Sequence, residues 1–235
     1  MTRFIALVSG KGGVGKTTTA IAVGQALHNA EKKTLLVDAN LVTPNIGLHL
    51  GVLQPRHTLN KFLRKEKSLA DITYKHESGL SFIPASPSYT EFQKMNPQKL
   101  TELFEHLDGL ADFVIVDAPS GLGYEVSEVL KNSDEVLLVV TPTLSSVIDA
   151  LKTIELAKAH NNLISGVILN MSNNGKHELT PEKVEEVLGQ KIIANIPFHK
   201  KVRKALHQQA PVNYLYTWGK PAREFKKIAE HLCME

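Results

Sequence analysis

One cysteine, one tryptophan and no long apolar run distinguish this 235-residue chain by what it lacks. A single thiol, Cys233, can form neither an internal disulfide nor a CxxC metal clamp. It reads as a small, half-buried residue on the last helix. No apolar stretch approaches bilayer-spanning length. The apolar run inside RFIALVSG (3–10) is too short for a signal-peptide core followed by a cleavage site. The expected location is therefore the cytoplasm. The histidines form no HExxH motif and no clear two-ligand helix pair. A net charge of +3 excludes a polycation but leaves room for a local basic surface. With no repeat period and no linker-like segment, residues 1–235 are expected to form one domain.

What is present is an alternation of short apolar runs and amphipathic segments. FIALVS (4–9), TLLVDA (34–39), LSFIPA (80–85), DFVIVDAP (112–119), EVLLVVTP (135–142), ISGVILN (164–170) and KIIANIP (191–197) read as strands buried on both faces. Between them, PQKLTELFEHL (97–107) places Leu100, Leu103, Phe104 and Leu107 on one helical stripe. Thr180 and Pro181 form a helix start. From Pro221 onward, Phe225, Ile228, Ala229 and Leu232 recur at helical spacing. This rhythm predicts an α/β fold, a doubly wound and mostly parallel β-sheet flanked by helices. Ligands in such sheets lie outside the carboxyl ends of the strands.

Gly10, Gly15, Lys16 and Thr17 satisfy GxxxxGK[ST] between an apolar run and a helical segment. Glycines there let backbone N–H groups turn towards phosphate oxygens. A helix beginning near Lys16 adds its positive end. Lys16 offers a point charge to β- and γ-phosphates, and the Thr17 hydroxyl suits Mg²⁺. The alternative is a glycine-rich turn without a ligand.

The segment KGGVGKTT (11–18) resembles the deviant phosphate loop of the MinD/ParA group of P-loop ATPases. The likeness extends to LLVDANLVTPNIGLHLG, DFVIVDAPSGLG, VILN and ANIPFHKKVRKA. It covers about residues 1 to 232, and in length and ending it is greatest to archaeal MinD-like proteins. The resemblance implies a SIMIBI-type P-loop fold, ATP/ADP and Mg²⁺ as cofactors, ATP hydrolysis and an ATP-dependent homodimer. It assigns the nucleotide to Gly10, Lys11, Gly12, Gly13, Val14, Gly15, Lys16, Thr17, Thr18, Gly121, Asn170 and Pro197. It assigns Mg²⁺ and its waters to Thr17, Asp38 and Asp117, and the chemistry to Lys11, Lys16, Asp38 and position 40. Lys11 would reach the nucleotide of a partner protomer, as an arginine finger does; binding its own phosphates, or solvent, is the alternative. Gly121 would offer its N–H to the γ-phosphate. Asp117 otherwise reads as a helix N-cap.

The sequence departs from that pattern twice. Asn40 stands where the group usually has an aspartate that positions the attacking water. An amide orients water but is a far weaker proton acceptor, so the expectation is a slow ATPase or one needing an activating protein partner. Thr143 replaces a glutamate that usually follows the proline at the dimer interface.

Asn170 carries both a donor and an acceptor, as an adenine edge requires, or it starts a turn in NMSNNGK. The basic segment HKKVRKALHQQ (199–209) fits either a DNA phosphate backbone or a solvated helix face. The helix from Pro221 reads as docking on the core, which argues against direct membrane binding. The leading expectation is a dimer switch in the spatial regulation of cell division or another positioned structure. The alternatives are a metallocentre-maturation ATPase, a ParA-like DNA-partitioning ATPase and a nearly inert nucleotide-locked scaffold.

Overall fold

The computed structural model describes residues 1–173 and 175–234. Asn174, in the turn expected after Asn170, and Glu235 lie outside the described residues. The strands are β1 (Arg3–Val8), β2 (Thr34–Asp38), β3 (Tyr74–Lys75), β4 (Ser81–Ile83), β5 (Phe113–Asp117), β6 (Glu135–Val140), β7 (Leu163–Ser172) and β8 (Ile192–Pro197). They form one sheet in the order β3-β4-β2-β5-β1-β6-β7-β8. Every pairing is parallel except β3 with β4. All seven apolar runs read from the sequence contain a strand. The antiparallel β3 was not anticipated, because two residues are too few to show a period.

β1 shows why the sequence sandwiches this sheet. Phe4, Ala6 and Val8 enter one core while Ile5 and Leu7 enter the other, since successive side chains of a strand point to opposite faces. Helices α1 (Lys16–Asn29) and α2 (Ile46–His49) contribute to the second core. The segment between β2 and β5 adds α3 (Leu59–Leu63), α4 (Leu69–Ile72), α5 (Tyr89–Gln93) and α6 (Leu100–Leu107). Then come α7 (Tyr124–Lys131), α8 (Leu144–Ala159) and α9 (Pro181–Leu188), which cover the first core with α3 and α6. Last are α10 (Lys200–His207), α11 (Val212–Leu215) and α12 (Lys220–Met234), on the α1 side.

The stripe Leu100, Leu103, Phe104 and Leu107 is buried in α6. Pro97 to Lys99 forms a short 3₁₀ turn ahead of it. In α12, Phe225, Ile228, Ala229 and Leu232 face the core. Cys233 corrects the sequence reading: it is exposed rather than half-buried. One residue on from buried Leu232 turns it about 100° round the helix, away from the core.

An ion pair fastens the end of the sheet opposite the strands' carboxyl ends. Arg3 of β1 donates to both carboxylate oxygens of Glu135 on β6, at 2.6 and 2.9 Å, and to the Leu232 carbonyl of α12. Ser165 of β7 donates to the same carboxylate at 2.5 Å. Burial by itself would raise the Glu135 pKa, but the Arg3 and Ser165 hydrogen bonds outweigh it and hold the pKa below the usual glutamate value. A carboxylate with a lowered folded-state pKa stabilises the fold above its unfolded pKa. That stability is lost as pH falls through the folded value. Arg3→Met should therefore cost about 2 kcal/mol at pH 7, and the difference from the unaltered chain should shrink as pH drops below about 4. Urea unfolding midpoints measured across this range check both the size and the sign.

Candidate functional site

β1 connects leftwards to β2 while its other neighbour, β6, connects outwards to β7, so the chain reverses direction between β1 and β6. Such a switch point opens a crevice at the carboxyl ends of the strands. The loop from Ser9 to Gly15 lies there, between the end of β1 and the start of α1. It borders a cavity of about 350 Å³ with Lys16, Thr17, Thr18, Asn40, Thr43, Asn45, His49 and Ser120. No side chain caps α1, and its N-cap Gly15 is left-handed at φ 84°. Its first N–H groups are thus left for a ligand.

The cradle is built by close approach. A Cβ on Gly10 would lie 2.4 Å from the Asp149 carbonyl oxygen of α8. A Cβ on Gly15 would lie 2.4 Å from Asn170 Nδ2. That amide is buried and donates to the Val14 carbonyl at 2.8 Å, so Asn170 ties the end of β7 to the loop. Beside it a smaller cavity of about 80 Å³ is bordered by Gly15, Thr18, Asn170, Met171, Pro197 and Phe198.

Beneath the loop, Asp38 of β2 and Asp117 of β5 are register partners, and neither is exposed to solvent. Lys16 Nζ donates to Asp117 Oδ1 at 2.6 Å and to the Ala118 carbonyl. Thr17 Oγ1 donates to the other Asp117 oxygen, at 2.6 Å. Asp38 accepts backbone N–H bonds from Asn40, Asn45 and Ile46 at 3.2, 3.0 and 3.0 Å. Burial, and then the neighbouring Asp117 charge, push the Asp38 pKa up to about 8. The N–H groups of Ile46 and Asn40 and the Lys16 ammonium oppose that rise. Asp117 caps no helix: α7 starts later, behind an N-cap at Gly123.

Three expected residues make contacts other than those anticipated for them. Gly121 gives its N–H to the Ser9 carbonyl at 2.9 Å, which closes the segment after β5 over the loop. Asn40 turns its amide onto Thr43, donating to the carbonyl at 2.8 Å and accepting the N–H at 3.1 Å. Lys11 is exposed and donates to Ser145 Oγ at 3.1 Å, at the start of α8. Sequence reasoning gave no role to Asn45, His49, Ser120 or Ser145. His49 is half-buried, its Nδ1 lacks a partner, and burial lowers its pKa against the pull of Asp117. Asn45 is the N-cap of α2 and His49 its last residue, but a four-residue helix is too short to have signalled that in the sequence.

The oxygen donors present suit a hard divalent cation that shares its shell with phosphate. Among the described residues no group of three or more His, Cys, Asp or Glu forms a metal cage. Thr17, Asp38 and Asp117 bring together oxygen atoms of the kind that a phosphate-bound Mg²⁺ takes.

The family model described as ParA, an NUBPL iron-transfer P-loop NTPase, matches residues 1–233. An uncharacterized ATP-binding protein of Methanocaldococcus jannaschii is 33% identical over 97% of this chain and 86% of its own length. The septum site-determining protein MinD of Pyrococcus horikoshii, solved in complex with Mg-ADP, is 31% identical. It superposes with a TM-score of 0.94 over 99% of this chain and 96% of that one. The MinC:MinD cell division complex of Aquifex aeolicus is 26% identical, with a TM-score of 0.88 over 100% and 97% of the two chains.

Gly10 has no left-handed φ, so its position demands space rather than conformational freedom. Gly10→Ala should cost about 1–3 kcal/mol, because the obstruction is helix backbone that cannot rotate aside. Denaturant unfolding measures that cost, and equilibrium dialysis against ATP should show weakened retention.

Proposed function

Because the chain belongs to the ParA family of P-loop NTPases, we propose that it binds ATP with Mg²⁺ in the glycine cradle and hydrolyses it slowly as a MinD-type dimer switch. The observation that carries this reading is the buried pair of Lys16 and Asp117. Without phosphate, the Lys16 ammonium has a carboxylate and a carbonyl as its partners. A triphosphate in the cradle offers it stronger ones. Its departure leaves the Asp117 carboxylate and the Thr17 hydroxyl facing the same space. Mg²⁺ would be held there by Thr17, with Asp117 and Asp38 on its waters, and would neutralise charge on the β- and γ-phosphates. A cation at that place also lowers the Asp38 pKa, opposing what burial does.

Position 40 sets the rate. The Asn40 amide uses its donor and its acceptor together on Thr43. A carboxylate could keep the N–H bond and accept from the Thr43 hydroxyl, but it would repel the Thr43 carbonyl. An aspartate would therefore loosen this turn and present a proton acceptor to the cleft. Asn40→Asp should raise ATP turnover about tenfold or more. Phosphate release at saturating ATP is the readout, and an unchanged rate would remove Asn40 from the account.

The mouth of the site supports pairing. Leu122 and Tyr124 at the start of α7, and Leu144 and Ile148 on the first turns of α8, are large apolar residues between 44 and 64% exposed. Lys11 lies at the same mouth, held by Ser145. Apolar exposure around an ionic group is what an interface between two copies buries. In this reading Lys11 of one protomer completes the phosphate site of the other, and Thr143 serves as the N-cap of α8, accepting from Ser146. Lys11→Ala should retain ATP in dialysis yet lose ATP-dependent dimerisation by size exclusion. A variant that still dimerised fully with ATP would refute the trans role.

The cellular role that fits best is the positioning of division or of another structure, through a protein partner that reads the paired state in the cytoplasm. A second reading has one observation in its favour, the iron-transfer description of the matching family. It must work with one exposed thiol and, among the described residues, no metal-holding cluster. Stoichiometric iron after anaerobic reconstitution would favour it.

A further inference from the structure

The net positive charge of this protein is concentrated in one segment. Residues 199–227 hold eight lysines and arginines against one acid, Glu224, so the segment carries +7 and the rest of the chain −4. Lys227 pairs with Glu224 at 2.6 Å and Lys226 with Glu230 at 3.4 Å. Lys200, Lys201, Arg203, Lys204, Lys220 and Arg223 meet no carboxylate among the described residues.

Amid these cations stands the protein's one tryptophan. Trp218 is 93% exposed in the turn between α11 and α12. The turn that presents it is braced. Gly219 N–H donates to the Tyr216 carbonyl, and Arg223 N–H to the Gly219 carbonyl, both at 3.1 Å. Lys201 Nζ lies 5.1 Å from the Tyr216 ring centroid. On the other side of the turn a cavity of about 380 Å³ is bordered by Lys220, Arg223, Lys227, Asn195 and one carboxylate, Glu224, and the Asn195 Oδ1 is buried without a partner. α12 spends its apolar side on the core and turns Arg223, Lys226 and Lys227 outwards.

We propose that this surface docks the folded protein on an anionic lipid bilayer, with the Trp218 indole entering the headgroup layer and the surrounding cations binding lipid phosphates. An indole has an apolar body with one N–H donor, and its preferred depth is the membrane–water boundary. Lysine stems lie along that boundary with their charges reaching headgroups. The cavity beside the turn offers Lys220 and Arg223 to a phosphate, while its one carboxylate, Glu224, is already taken by Lys227 and the Asn195 N–H. A single-stranded nucleic acid fits less well, and a duplex would use the cations but leave the exposed indole without a partner. Single-stranded bases need a row of rings, whereas the one aromatic residue of α10 and α12, Phe225, is buried. The contact differs from an inserting terminal helix. The expectation against direct membrane binding concerned an inserting amphipathic helix, and the apolar side of α12 is taken up by the core.

The single tryptophan is its own reporter. The full chain, with and without Mg-ATP, is mixed with phosphatidylcholine vesicles containing about one third phosphatidylglycerol. Trp218 emission should shift to the blue and be quenched by brominated acyl chains. Pure phosphatidylcholine and high salt should abolish both effects. Trp218→Ala, and separately Lys220→Glu with Arg223→Glu, should lower co-sedimentation about tenfold with ATP retention unchanged. That last control separates failure here from failure of the nucleotide reading. Unmoved, unquenched emission in every condition overturns the proposal. Retention on duplex DNA without vesicle binding also overturns it, and assigns the surface to nucleic acid.

Discussion

A carboxylate with no exposed surface, Asp117, holds the phosphate loop of this protein in place. It takes the Lys16 ammonium on one oxygen and the Thr17 hydroxyl on the other, so the first turn of α1 is bound to the end of β5. Register puts Asp38 beside it, and two buried carboxylates side by side resist ionising together. Asp38 answers with three backbone N–H groups from the segment that leads into α2. The loop, the segment after β2 and the segment after β5 are thus joined through one electrostatic arrangement.

Much of the fold could be read from the chain because burial on both faces leaves a plain signature. β1, β2, β5 and β6 are runs of apolar residues with no alternation, each ending in or near a residue of the site. The glycine loop, Lys16 and Thr17 were equally legible, since spacing alone specifies a phosphate cradle. Strand order is not carried by any local pattern, so the adjacency of Asp38 and Asp117 emerged only from the sheet. The closure of Asn40 onto Thr43 was hidden too. An amide three residues before a threonine forms that turn only in a particular loop conformation, and the sequence offers many. Cys233 shows the opposite error. Cysteine's general preference for burial suggested partial cover, although the period set by Ile228 and Leu232 already turned position 233 outwards.

The surface carries two unlike regions. Leu122, Tyr124, Leu144 and Ile148 are exposed apolar residues at the starts of α7 and α8, and Trp218 lies in the turn before the lysine- and arginine-bearing face of α12. Pro197 borders the cavities on both sides of β8, the one beside the loop and the one beside Lys220. The strand end is therefore a shared wall between them.

The absence of a side chain at Gly10 has a mechanical result. Loop and helix meet there backbone to backbone, against the carbonyl of Asp149, with no methyl group to cushion them. Thr153 already donates to that carbonyl, at 3.2 Å, so a side chain at position 10 would press on a hydrogen-bonded oxygen. Loop and helix therefore meet with no slack at that point. Ile148 adjoins the contact and Leu144 begins the same helix, so one element both backs the cradle and carries the exposed apolar side chains.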